Sequence, residues 1–283
     1  MNLRFISWNI HGKKHVSPLL DLLQTLAGDL VALQEVTVPA YQALVESKLF
    51  AWSAFSLDLR PPQVDEGRGR RLGCALLGQA PYRFKQASLL EQAPLPERAL
   101  IVEVETPTEP LTLCSFHAPP GVSWQEKKPL AFLALARWLA KHQTRVLVGM
   151  DANAPKTDHP DIEQNEWWWE EEPLMLGPRP LHPLKDALRV WLAAHPLEAE
   201  QRQALHPQGP LAISHYRGRG APFPCRYDFI YITPDFSVSQ VRYLYDEAIN
   251  AGSDHAAVVS DLTYTSYAAI NTRHNDEASC LFA

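Results

Sequence analysis

Apolar runs of strand length recur along this chain, and one after another they stop on a polar or charged residue. LRFISWNI (3–10) ends near Asn9, LVALQEV (30–36) on Glu35 and its valine, LTLCSFH (111–117) on His117, and VLVGMD (146–151) on Asp151. The first alternates as a half-buried strand does, and the others read as buried strands. Further on, PCRYDFIYI (224–232) is a strand with Asp228 in its interior, and VSQVRYLYD is another. GSDHAAVVSDLTY (252–264) sets Asp254 and His255 immediately before a strand. A charge within an apolar strand is costly unless paired, so Asp228 needs a partner.

Between the strands the spacing of apolar residues turns helical. A helix is expected from Ser17 to Ala27, with Ser17 as N-cap, Pro18 in the first turn and Gly28 as C-cap. Others are expected from Pro39 to about Phe50, over 123–142 with Pro129 as a point of division, over 184–195, and near 197–205. No Gly/Ser-rich linker or repeat interrupts the chain, which predicts one domain over 1–264 and a frayed polar tail over 265–283.

A formal charge of −6, with 26 basic against 32 acidic residues, argues against non-specific wrapping of nucleic acid and leaves room for a local basic patch. Cys74, Cys114, Cys225 and Cys280 are far apart and form no CxxC pair, so free thiols in a reducing compartment are expected rather than a zinc site. The sequence has neither a signal-peptide pattern near Met1 nor a run able to span a bilayer, and a soluble, cytoplasmic monomer is the expectation.

The strand ends carry the chemistry. Asp151 and Asn153, one residue apart where a strand gives way to loop, place a carboxylate and an amide in one small volume. Alone, this fits an Asx turn capped by Pro155 as well as it fits a site. Asn9, Glu35, His117, Asp228, Asp254 and His255 end or border other strands. Several carboxylates brought together without cysteine suit a hard cation, Mg²⁺ or Mn²⁺, and hence phosphoryl chemistry. Two loops stand apart. The segment 156–173, with Trp167, Trp168 and Trp169, is either a packed loop or a lid that stacks on a ligand. YRGRGAPFPCR (216–226) offers Arg217, Arg219 and Arg226 to phosphates, or is a solvated basic loop.

Taken in order, SWNIHG, LQEV, SFHAPPG, GMDANAP, RYDFIYI and GSDHAAV resemble the motifs of the endonuclease/exonuclease/phosphatase superfamily, across residues 2–264. The resemblance implies an α/β (α+β) fold of deoxyribonuclease I type, a four-layered α/β/β/α sandwich of two mixed sheets flanked by helices. It implies Glu35 as principal metal ligand, with Asn9 and Asp254 beside it, and Asp151 aligning or deprotonating the attacking water. Asn153 is expected to bond the phosphate oxygen, a contribution of about 3 kcal/mol. Asp228 is expected to orient His255 toward the scissile phosphate, His117 to be a second phosphate-side acid, and Arg98 a phosphate contact. Trp168 and the loop arginines complete the expected substrate contacts.

Departures bear on the substrate. His117 stands where abasic-site endonucleases of that superfamily carry tyrosine, and the glutamate that accompanies such a histidine in deoxyribonuclease I-like enzymes has no equivalent around Arg70 and Arg71. A divalent-metal nuclease acting on DNA or RNA is the leading expectation. A phosphatase or phosphodiesterase on a small or lipid phosphoester is the second, and a non-catalytic binding protein of the same fold the third.

Overall fold

Side-chain alternation decides which face of each strand meets which layer. In β1 (Asn2–Asn9), Leu3 and Phe5 enter the core between two sheets, whereas Ile6 and Trp8 pack outward under helices. The computed structural model describes residues 1–12, 16–63, 66–142, 145–218 and 222–264, so the expected frayed tail lies outside the described residues. The strands that follow are β2 (Leu30–Val36), β3 (Trp52–Phe55), β4 (Gly73–Gly78), β5 (Arg83–Leu89), β6 (Ala99–Glu105) and β7 (Leu111–His117). Then come β8 (Val146–Asp151), β9 (Lys185–Asp186), β10 (His215–Arg217), β11 (Phe223–Cys225), β12 (Asp228–Ile232), β13 (Phe236–Leu244) and β14 (Ala257–Tyr264).

Two six-stranded mixed sheets result, ordered β13-β14-β1-β2-β4-β3 and β5-β6-β7-β8-β12-β9, with β10 and β11 as a separate ribbon. Leu30, Ala32, Leu76, Leu113, Leu147, Ile230 and Val258 fill the space between them. Helices Ser17–Leu26 and Val38–Glu46 cover the first sheet through Leu19, Leu23 and Leu44. Helix Lys127–Lys141 covers the second through Phe132, Leu135 and Leu139. This is the four-layered α/β/β/α sandwich. No helix among the described residues is long and apolar enough to cross a membrane.

Several boundaries differ from the pattern in the sequence. Val16, not Ser17, precedes the first helix, and Ala27 takes the left-handed conformation at its end, with φ 50°. Gly28 serves packing instead: a Cβ there would lie 2.5 Å from Ile6 Cδ1. The 123–142 segment divides at Gln125, with φ 33°, while Pro129 fits the first turn of the following helix, where no hydrogen bond is asked of its nitrogen. The segment 224–232 breaks at Arg226 and Tyr227, which makes Asp228 the first residue of β12 rather than an interior one. Gly149 lies inside β8, where the sheets close to backbone distance: a Cβ on it would be 2.7 Å from Ala32 Cβ.

Candidate active site

The parallel pairs β1/β2 and β7/β8 deliver their carboxyl ends to one edge of the sandwich, and β12, antiparallel to β8, begins there with Asp228 opposite Asp151. Asn9, His117 and Asp151 are the final residues of their strands and are buried. Glu35 arrives differently. The β2/β4 register shifts between Leu33 and Val36, and Glu35 sits in this bulge with φ 54°, a conformation that costs a non-glycine residue on the order of 1 kcal/mol. Its carboxylate, 20% exposed, thereby leaves the ladder and meets His117 Nε2 at 3.5 Å.

Asp151 is held from three sides. Asn9 Nδ2 donates to its Oδ2 at 2.8 Å, the Asn153 backbone N–H to its Oδ1 at 2.9 Å, and His117 Nε2 lies 3.6 Å from Oδ2. Burial and the Asp228 charge push its carboxyl up to about 7, against the pull of His255. The Asn153 side chain donates to the Ala118 carbonyl at 3.0 Å and leans on Asp151 Oδ2 at 3.3 Å.

His255 and Asp228 form a buried dyad, Nδ1 to Oδ2 at 2.8 Å, with His255 Nε2 4.0 Å from Asp151. Burial lowers His255, but Asp228 and Asp151 outweigh it and raise the imidazole to about 10, so the ring carries its proton. Asp228 Oδ1 is buried and has no hydrogen-bond partner among the described residues. The backbone around the dyad is fixed from the first sheet: Trp8 Nε1 donates to the His255 carbonyl at 3.0 Å, and Ser253 Oγ to the Asn9 carbonyl at 2.6 Å.

Two expected substrate contacts sit behind this surface. Arg98 is 3% exposed and its Nη1 lies 2.9 Å from His117 Nδ1. A guanidinium only donates, so a ring nitrogen of His117 must accept. Burial, then Arg98 and His255, hold His117 well below the usual imidazole range. His117 is thus a neutral link between Arg98 and two carboxylates rather than an acid facing phosphate, and Arg98 is its support. Arg226 is also corrected. It is 1% exposed, with Nη2 2.5 Å from Asp186 Oδ2 and Nη1 3.3 Å from Asp158 Oδ2, so it is a structural cation and offers nothing to a ligand. Arg219 lies outside the described residues.

Hard oxygen donors stand in and around the turn at residues 9–12. His11 touches two of the residues: its N–H donates to Asn9 Oδ1 at 2.8 Å, and its Nδ1 lies 2.8 Å from Asp254 Oδ1. Gly12 N–H donates to the Glu35 carbonyl at 3.1 Å. Glu35 and Asp254 retain exposure, 20% and 42%, and Asp254 is lowered to about 2 because His11 and His255 outweigh its burial. Ligand atoms of Asp151, Asp228 and His255 also lie within 4.8 Å of one another, as do those of His215, Asp254 and His255. The side-chain oxygens of Glu35, Asn9 and Asp254 are of the kind a hard divalent cation takes.

Beside the dyad opens a cleft of about 600 Å³ lined by Asn153, Trp168, Trp169, His215, Arg217 and Tyr227. His215 carries no signal in the sequence: it lies in a short ribbon strand, donates from Nδ1 to the Asp254 carbonyl at 3.0 Å, and stacks on His255 with centroids 4.4 Å apart. Lys128 was equally invisible. It is 1% exposed, bonds the Asn153 carbonyl at 2.7 Å and pairs with Glu172 at 2.8 Å. Glu172 in turn accepts the Trp168 backbone N–H at 2.9 Å.

The fold is shared with solved structures of low sequence identity. TDP2 from D. rerio, solved with a single-strand DNA product, matches with TM-score 0.63 and 16% identity over 93% of this chain and 99% of its own. The human Nocturnin catalytic domain with bound sulfate matches with TM-score 0.63 and 18% identity over 93% and 95%. An endonuclease/exonuclease/phosphatase from Bacteroides vulgatus matches with TM-score 0.60 and 15% identity over 94% and 100%. No curated protein sequence matches the chain. The family model for the Endonuclease/Exonuclease/phosphatase family matches residues 6–255, a span that takes in every strand end gathered at this edge, and the chain belongs to that family.

Proposed function

We propose that the chain is a phosphodiesterase that works with Mg²⁺ or Mn²⁺ and hydrolyses nucleic acid by in-line attack of water. The observation that carries this is the contact series at the sheet edge: Glu35 to His117, His117 to Asp151, Asp151 to His255 and His255 to Asp228, all within 4.0 Å. The family to which the chain belongs comprises enzymes that break P–O bonds. Nucleic acid as substrate is supported by the single-strand DNA product on the D. rerio relative, and a phosphate-like anion by the sulfate on human Nocturnin.

In this reading Glu35, Asp254 and Asn9 Oδ1 hold the cation, which when bound supplies Lewis-acid stabilisation of charge building on the phosphoryl oxygens. Asp151, fixed by Asn9 and by the Asn153 N–H, orients water and takes its proton. A carboxylate raised to about 7 is a far better proton acceptor near neutral pH than an ordinary aspartate. The His255 imidazolium, aimed by Asp228, gives a charge-assisted hydrogen bond to the phosphate. The Asn153 amide, which lines the cleft, gives another on turning one N–H from Asp151 Oδ2 to the phosphate.

Asp151→Ala and His255→Ala, assayed on a generic phosphodiester with added Mg²⁺ or Mn²⁺, should each lose turnover; undiminished rates would sink the assignment. The cleft is also of a size for a small phosphoester. Parallel turnover on DNA, RNA and an inositol phosphate separates the two substrates.

A further inference from the structure

We infer that the cleft beside His255 is a seat for one unpaired nucleobase, and that it makes the enzyme selective for single-stranded over duplex nucleic acid. This rests on the phosphodiesterase reading above. Of the three consecutive tryptophans, Trp167 packs against the core of the second sheet and Trp169 lies against Gly121. Trp168 is the most exposed of the three, at 46%. An exposed indole is costly in water unless something covers it, and two cations already lie over this one: the Arg217 guanidinium at 5.1 Å and Lys156 Nζ at 5.7 Å from its ring centre.

The opposite wall is also aromatic. His215 stacks on Tyr227 at 5.9 Å with 25° between planes, and on His255 at 4.4 Å with 22°. A ladder of flat rings therefore runs from the proposed phosphate contact into the cleft. Aromatic rings and cations lining one cleft suit a nucleobase and its phosphates, since every base has a π-face and stacking is tolerant of sequence. The volume, about 600 Å³, is that of a small-ligand site. A base within a duplex is stacked above and below and paired at its edge, so it enters such a cleft only at the cost of leaving the helix.

The lining is built rather than incidental. The Trp168 backbone is tied to Glu172, Glu172 to the buried Lys128, and Lys128 to the Asn153 carbonyl, which sets the distance between the indole and the site of chemistry.

The test compares four oligonucleotides of equal length: single-stranded DNA, single-stranded RNA, blunt duplex DNA, and a single strand of abasic tetrahydrofuran residues. Fluorescence anisotropy in EDTA reads the cleft without turnover, and hydrolysis with Mg²⁺ or Mn²⁺ reads the chemistry. The wild-type protein should bind and cut base-bearing single strands at least about tenfold better than the abasic strand or the duplex, within the range that stacking one base contributes. DNA and RNA arms tell which sugar the cleft prefers. In Trp168→Ala that preference should fall toward unity, while Trp168→Phe retains most of it. Equal binding of abasic and base-bearing strands, duplex bound as well as single strand, or a preference untouched by Trp168→Ala would overturn the inference. A clear binding preference with no hydrolysis of any strand would leave the cleft standing and refute the phosphodiesterase reading instead.

Discussion

Two buried polar networks flank β12, and they treat charge in opposite ways. Around Arg226, the carboxylates of Asp158 and Asp186 meet two guanidinium groups, Arg226 and Arg189, and the Arg226 Nε donates to Tyr243 OH, which donates to the Asp228 carbonyl. Two anions face two cations and the set is closed. At the other end of the dyad, Asp151 and Asp228 crowd the protonated His255 imidazole, and Asp228 Oδ1 has no hydrogen-bond partner among the described residues. Charge that balances holds a fold together, whereas charge left in excess is poised for something brought from outside, which in the proposed function is a cation and a phosphate.

The contrast can be broken by substitution. Asp151→Ala should lower kcat by about 10²–10⁴-fold, the range for a removed acid–base group, with the melting temperature unchanged or raised because one crowded carboxylate is gone. A melt lowered as much as in an arginine variant would erase the distinction. Arg226→Met should cost about 3–5 kcal/mol in urea unfolding, because Asp158 and Asp186 remain as buried charges stripped of their partner.

Acid titration sharpens the same point. Burial alone would raise Asp158, and Arg226 and Arg189 outweigh it and hold the carboxyl below its ordinary 3.8, with Asp186 and Tyr243 the other titratable groups facing the pair. The unfolded chain therefore binds the proton first as pH falls. This contribution is full above about pH 4 and is lost as pH drops through the depressed folded value, with a slope of at most about 1.4 kcal/mol per pH unit. Unfolding followed from pH 5 to 2 should be steeper for the wild type than for Arg226→Met; equal slopes would show that the ion pairs contribute nothing. The smallest effect sets the scale for a neutral polar contact. Thr37 caps the Val38–Glu46 helix by accepting from Ala40 N–H at 3.3 Å, and Thr37→Ala should cost about 1 kcal/mol.

Strand periodicity made the strands and their polar ends readable in advance, because both are local: Asn9, His117 and Asp151 each close a run whose apolar pattern is visible in six to eight residues. The sandwich itself came from the resemblance of the motifs. What escaped was pairing at a distance. Arg226 reads like its neighbours Arg217 and Arg219, and only its partners, 40 and 68 residues away, make it structural. His215 sits in a three-residue strand with no pattern of its own, and its place against His255 comes from a single isolated bridge. The break at Arg226 and Tyr227 was hidden because both residues suit a strand, while Ser214 Oγ, accepting from the Tyr227 and Asp228 N–H groups, holds them off the ladder.

The buried Lys128–Glu172 pair carries a consequence for anyone who would redesign this protein. The tryptophan segment looks like an interchangeable surface module, a stretch that could be swapped to retarget the enzyme. Its anchor, however, is a lysine on a different helix that also grips the backbone of Asn153. A graft of residues 156–173 that omits Glu172 strands Lys128 in the interior and slackens the loop that carries Asn153 along with the one that carries Trp168. Under the proposed function, specificity and turnover are geared together, and a retargeted variant has to inherit the cog as well as the teeth.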